Sequence, residues 1–145
     1  MSLLERAIAV AVNAHIGQVD KAGNPYILHP LRMMLRLDGE SERIVAVLHD
    51  VLEDTSVTAA DLRKEGFSED ILDALSHVTK REGEDFQEFV ARAATNPIAR
   101  RVKLADLEDN LDVRRLEAVT ERDAKRLTKY LTAQRYLKSL PCGAV

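Results

Sequence analysis

Cysteine is almost absent. Cys142 is the single thiol among 145 residues, which excludes an internal disulfide and agrees with a reducing compartment. So close to the C-terminus, it reads as a bystander rather than a nucleophile. An excess of positive charge is also missing: 21 Lys and Arg face 24 Asp and Glu, for a net charge of −3. No basic stripe interleaves with aromatic residues, so no nucleic-acid partner is expected. Charge interrupts every apolar stretch, leaving none long enough to span a bilayer. The opening Met1-Ser2-Leu3-Leu4-Glu5-Arg6 carries an acid and lacks the basic-then-apolar order of an export signal. A cytoplasmic protein with no membrane or nucleic-acid partner is the expectation.

Period-two alternation, internal repeats and a recognisable linker are lacking too, which argues against strands and against a divided chain. What is present is helical spacing from end to end, on a background of 46% apolar and 31% charged residues. The spacing predicts helices over 3–15 (ending at Gly17), from Tyr26 to about Leu37, from Ser41 and Glu42 through the segment 44–54, and over 59–65, 69–79, 84–94, 97–114 and 121–140. Pro30 and Pro97 fall at first-turn positions that tolerate proline. Thr58 and Ser68 read as N-caps, with Glu69 and Asp70 favoured by the helix dipole. The expected architecture is an all-α, single-domain, multi-helix bundle spanning 1–145.

The segment Ile44-Val45-Ala46-Val47-Leu48-His49-Asp50-Val51-Leu52-Glu53-Asp54 stands out. Its apolar residues predict a helix buried on most sides, yet it carries four acid–base-capable groups. On a helix His49 lies four residues before Glu53, and Asp50 lies three and four before Glu53 and Asp54, so the four share a face. Three carboxylates side by side on a buried rod are strongly unfavourable unless a cation or substrate compensates them. A divalent metal is the economical choice.

Two other places are candidates to complete such a site. His29 lies in Pro25-Tyr26-Ile27-Leu28-His29-Pro30, and alone it reads more readily as a satisfied core histidine than as a ligand. Asp106 lies in Val102-Lys103-Leu104-Ala105-Asp106-Leu107-Glu108-Asp109-Asn110-Leu111, sharing a face with Asn110 between buried-type leucines. Glu108 and Asp109 read as a solvated face. Two His with two Asp form a nitrogen and oxygen donor set suited to Mn²⁺, Fe²⁺ or Zn²⁺.

Four ordered segments carry a resemblance: Ala14-His15-Ile16-Gly17-Gln18, then Lys21-Ala22-Gly23-Asn24-Pro25-Tyr26-Ile27-Leu28-His29-Pro30, then Leu48-His49-Asp50-Val51-Leu52-Glu53-Asp54-Thr55, and Lys103-Leu104-Ala105-Asp106 with Asn110. Over roughly residues 5–115 the chain resembles the HD-domain metal-dependent phosphohydrolases, above all the stringent-response Rel/SpoT-type branch, which hydrolyses ppGpp. The resemblance implies an all-α fold and a Mn²⁺ site on His29, His49, Asp50 and Asp106. It further implies catalytic roles for Glu53 and Asp54, phosphate contact by Lys21, and nucleotide contact by Asn110. Lys103, three residues before Asp106, is expected to support it from outside the ligand set.

The chain departs from that branch in two places. Relatives carry a basic pair where this sequence has Asp20-Lys21, and Asn-Met-Arg-Thr where it has Asn110-Leu111-Asp112-Val113. Arg114 and Arg115 are the cations nearest the lost arginine. These departures keep a second HD activity open, such as nucleoside monophosphate or NADPH 2′-phosphate hydrolysis, beside a non-catalytic nucleotide sensor. At this length no alarmone synthetase domain is expected within the sequence. Elsewhere the plain readings hold: His15 at a helix end satisfying terminal carbonyls, His77 structural, Tyr26 and Met33-Met34 as packing, and Arg122, Lys125, Arg126 and Lys129 as a solvated face. The apolar positions Leu127, Tyr130, Leu131, Tyr136, Leu137 and Leu140 serve either the core or a homodimer contact.

Overall fold

The structure, a computed structural model, describes residues 1–141; Cys142 lies outside the described residues. Nine α-helices follow one another among the described residues: α1 (Leu3–Ala14), α2 (Leu28–Leu35), α3 (Glu40–Leu48), α4 (Val51–Asp54), α5 (Ala59–Lys64), α6 (Glu69–His77), α7 (Phe86–Ala93), α8 (Pro97–Asn110) and α9 (Glu121–Ser139), with a 3₁₀ turn at Val113–Arg115 before α9. One isolated antiparallel bridge, Val19 with Pro25, closes the loop between α1 and α2. The fold is all-α, as the helical spacing implies. None of these helices is long and apolar enough to cross a membrane.

Local chemistry sets the helix starts. Thr58 and Thr120 form capping boxes with Asp61 and Asp123, each pair satisfying two backbone N–H groups reciprocally. Ser68, Asp85 and Asn96 each accept one N–H of the first turn. Pro97 opens α8, where its missing N–H costs nothing. α3 begins one residue before Ser41, behind Gly39.

α3 is the axis of the bundle. Ile44, Val45, Ala46, Val47 and Leu48 are all buried, and α3 packs against α1, α2, α6 and α8. Around it gather Met33, Leu62 and Leu75. A smaller cluster of Val90, Leu107, Ala133 and Leu137 ties α7, α8 and α9 together. Of the apolar positions on α9, Leu137 is buried here while Leu131 and Tyr136 stay exposed.

The helix expected to run unbroken through 54 is interrupted. The Ala46 carbonyl accepts both the His49 backbone N–H (3.3 Å) and His49 Nδ1 (2.8 Å). That tightens the turn, and Asp50 takes φ −102° and ψ 0°, a sparsely populated region often used at active sites. The chain then restarts as the single turn α4. Glu53 and Asp54 are therefore exposed, not buried on a continuous rod.

The core assignment carries a stability prediction. Leu75→Ala, fully buried, should cost about 2–5 kcal/mol. Leu35→Ala, 73% exposed, should stay within about 0.5 kcal/mol of wild type. Urea midpoints at unchanged slope read both.

Candidate metal and phosphate site

Three elements deliver four donors to one point. α2 supplies His29, the α3–α4 junction supplies His49 and Asp50, and α8 supplies Asp106. His29 Nε2 lies 3.0 Å from Asp106 Oδ1, His49 Nε2 3.0 Å from Asp50 Oδ2 and 4.0 Å from Asp106 Oδ1. Donor atoms of His29, His49 and Asp50 lie within 4.8 Å of one another. Ligand bonds near 2.1 Å meeting at right angles would set donors about 3 Å apart, so this spacing suits a divalent ion.

The outward nitrogens agree. His29 Nδ1 meets Asp109 Oδ2 at 2.6 Å, and His49 Nδ1 donates to the Ala46 carbonyl. Each imidazole is thereby held by its Nδ1 with Nε2 turned to the shared centre, the usual arrangement of a metal-binding histidine. Asp106 is held in turn by Lys103 Nζ at 3.0 Å and Asn110 Nδ2 at 2.9 Å. The residues fit a divalent cation.

Charge is unevenly balanced within this cluster. Burial opposes protonation of His29, but Asp106 and Asp109 outweigh it and raise its pKa to about 9. Burial lowers His49 to about 4. Burial, then the neighbouring Asp106, Asp54 and Glu53, raise Asp50 to about 8. Asp106 is held well below the carboxylate range, because Lys103 and the imidazoles overcome its burial.

The centre forms part of the wall of a cavity of about 460 Å³. Glu53 lines it as well, and Glu53 Oε1 accepts the Lys80 backbone N–H at 2.9 Å. A carboxylate oxygen of Asp54 lies within 4.8 Å of those of Asp50 and Glu53. Lys21 and Asn110 reach the same cavity, together with Arg32, Arg115 and Arg126.

No family model matches this chain. Among curated proteins, it is 34% identical over 139 residues to the guanosine-3′,5′-bis(diphosphate) 3′-pyrophosphohydrolase of Aquifex aeolicus, covering 87% of this chain and 19% of that protein. It is 34% identical over 125 residues to the bifunctional (p)ppGpp synthase/hydrolase SpoT of Escherichia coli, covering 74% of this chain and 17% of the other. The chain thus spans less than a fifth of the length of these two relatives. A solved structure of a metazoan SpoT ortholog described as hydrolysing ppGpp superposes with a TM-score of 0.80, at 24% identity, over 96% of this chain and 87% of its own; that likeness carries the fold. The chain belongs to the Rel/SpoT-type HD-domain family.

Several positions of this HD domain differ from their sequence reading. Asp109 is not on a solvated face: it is 0% exposed, receives Arg32 Nε at 2.8 Å and Nη2 at 3.0 Å, and is held well below the carboxylate range by His29 and Arg32 despite its burial. Its i+3 spacing from Asp106 was the available signal, masked by the surrounding charge. Tyr26 does more than pack, because its hydroxyl donates to Asp50 Oδ2. His15 ends α1 as expected but is buried, pairing through Nδ1 with Gln18 at 2.9 Å rather than with terminal carbonyls. Arg126 leaves the solvated run to line the cavity, paired with Asp123.

The acids that break the family pattern have local duties. Asp20 Oδ1 accepts the backbone N–H groups of Ala22 and Asn24, both at 2.9 Å, shaping the loop around Gly23 (φ +84°) that carries Lys21. Asp112 caps the 3₁₀ turn and pairs with Arg114 at 2.7 Å.

Three outcomes follow from this arrangement. With the pKa of His29 raised to about 9 and that of Asp50 to about 8, an ion held by both would displace a proton from each near pH 7. Binding should release about two protons per ion, and affinity should rise about a hundredfold per pH unit below 7. Calorimetry in buffers of different ionisation enthalpy counts the protons. The raised pKa of His29 also stabilises the metal-free fold fully below pH 6.5 and stops doing so as pH passes about 9, so the melting temperature gained on adding metal should grow across that window. Separately, Asp109→Asn should weaken metal binding about 10- to 100-fold, measured by competition with a chelating dye, with helical circular dichroism unchanged.

Proposed function

We propose that this HD domain is a metal-dependent phosphohydrolase acting on ppGpp and pppGpp at the 3′-pyrophosphate. The observation that carries the reading is the donor cluster of His29, His49 and Asp50, with Asp106 Oδ1 3.0 Å from His29 Nε2, set beside Glu53 in a cavity that also holds Lys21, Arg115 and Arg126. Such a cavity is within the usual range for small-molecule sites, roughly 300–1,000 Å³. The names of the curated relatives support the same substrate.

In this reading His29, His49, Asp50 and Asp106 hold the ion, and their mixed imidazole and carboxylate set supports Mn²⁺, with Fe²⁺ and Zn²⁺ as competitors. A divalent ion held there supplies Lewis-acid polarisation of a phosphoryl oxygen and acidifies water. Glu53, which lines the cavity, accepts the proton of the attacking water through its unengaged oxygen. Asp54, beside it but outside the lining, keeps negative charge near that proton. Water's oxygen bonds to the phosphorus that the ribose 3′-oxygen leaves; the 3′-oxygen takes up a proton, and pyrophosphate departs with GDP or GTP remaining. Lys21, the cation at the loop tip, meets phosphate. Asn110 uses Nδ2 on Asp106 and keeps its amide oxygen for a sugar hydroxyl. Leu116, Leu127 and Tyr130 offer an apolar wall for a base. The exposed Leu131 and Tyr136 of α9 are the apolar surface through which two copies would pair.

A second reading, hydrolysis of a nucleoside monophosphate or of the NADPH 2′-phosphate, is favoured by Asp20, Asp112 and Asp123 around the cavity, which oppose a highly charged nucleotide. Their engagement with backbone N–H groups weakens that objection.

A panel of ppGpp, pppGpp, nucleoside monophosphates and NADPH with Mn²⁺ separates the two. Pyrophosphate release from ppGpp is expected. Glu53→Gln should keep the metal and lose about 10²- to 10⁴-fold in kcat, while His49→Ala should lose both metal and turnover. Phosphate release from the other substrates with no pyrophosphate from ppGpp would transfer the assignment to the second reading.

A further inference from the structure

Glu53 stands on a single helical turn with its side chain exposed, and one described hydrogen bond restrains its carboxylate, the Lys80 N–H on Oε1. Lys80 belongs to the segment 78–85 between α6 and α7, which has no regular structure of its own. A segment of that kind orients a side chain only if something else holds it. That holder is Arg92 of α7. Its guanidinium donates to Glu84 Oε2 at 2.8 Å and Oε1 at 2.9 Å, to the Ser76 carbonyl at 2.7 Å and to the Thr79 carbonyl at 2.7 Å. Glu84 Oε1 also accepts the Arg81 N–H at 3.1 Å. The residues on either side of Lys80 are thus pinned through one ion pair, whose side chains are only 13% and 10% exposed.

The planar fork of an arginine suits this task, since it binds a carboxylate with two parallel bonds and still reaches two carbonyls. The same group lies 5.6 Å from the Phe89 ring centre, and that ring also receives Lys103 Nζ at 4.4 Å. Lys103 in turn holds Asp106. One side chain outside the cavity lining is therefore tied, through the segment 78–85, to the carboxylate beside the metal centre.

We propose that Arg92, locked by Glu84, is a positioning residue of this hydrolase: it holds segment 78–85 so that the Lys80 N–H fixes Glu53 Oε1 and leaves Oε2 toward the water. This rests on Glu53 being the proton acceptor. Loosening the segment leaves substrate and metal contacts in place but spreads the carboxylate over several rotamers, so it acts on turnover and not on binding.

Arg92→Ala leaves a half-buried carboxylate and two backbone carbonyls without their donor and is prone to misfold, so the test uses Glu84→Gln, which keeps shape and part of the bonding, and Lys80→Pro, which removes the one N–H. Wild-type turnover of ppGpp with Mn²⁺ is measured first. Each variant should then lose about 10- to 100-fold in kcat, with KM within about twofold and metal stoichiometry unchanged. Amide hydrogen exchange gives an activity-independent reading: Lys80 should exchange about tenfold faster in Glu53→Ala and in Glu84→Gln. Wild-type kcat in both variants, a loss confined to KM, or unchanged Lys80 exchange overturns the proposal. If wild type leaves ppGpp intact, the substrate reading fails, and the exchange measurement still decides whether Lys80 and Glu84 restrain Glu53.

Discussion

His29 is held between two carboxylates of one helix, Asp106 at Nε2 and Asp109 at Nδ1. Those acids stand three positions apart on α8, so they project from neighbouring positions on one face, and a single imidazole spans both. Buried carboxylates are tolerated only when paired and hydrogen-bonded. Here Lys103 and Asn110 complete Asp106, while Arg32 and Arg115 approach Asp109. The pairing draws α2 onto α8, and α3, packed between them and α1, brings His49 to the same centre. Asp106 draws its compensation from α2 and α8, and Asp109 from α2 and the 3₁₀ turn, so the same charges that need partners tie these elements together.

Acidic residues around the cavity do two different kinds of work. Asp20, Asp112 and Asp123 bind backbone N–H groups that open a loop, a 3₁₀ turn and a helix. Asp112 and Asp123 also carry arginine partners. Their negative charge is largely absorbed locally, so Lys21 and Arg115 still offer positive charge to a phosphorylated ligand. Asp20→Arg, attractive on charge alone, would remove the turn that presents Lys21.

The α4 turn illustrates a related constraint. Four residues make a helix too short to be stable alone, yet it bears two of the carboxylates nearest the centre. Restraint arrives from elsewhere: Gln18 Nε2 on the Asp54 carbonyl at 3.3 Å, and the Lys80 N–H on Glu53. Segments far apart in sequence thus decide the orientation of groups that are neighbours in sequence.

The helices were legible because apolar spacing and capping residues are local signals: Thr58, Ser68 and Pro97 stand where their chemistry demands. His49 and Asp50 were legible as candidates because acids and imidazoles among buried leucines and valines require compensation, and the ordered motifs strengthened His29 and Asp106. Asp109, Tyr26 and Arg126 were not, since a charged or aromatic residue on a mixed helix reads as exposed or as packing until its partner is known. The break at His49 was equally hidden, as it arises from a side chain reaching the Ala46 carbonyl. Sequence by itself determined which segments coil and which residues need a counter-charge, because both follow from neighbours within a turn or two. Only tertiary structure decided which charge meets which, because electrostatic pairing depends on distances of a few ångströms between residues such as His29 and Asp109, and those distances exist only once α2, α3 and α8 have packed.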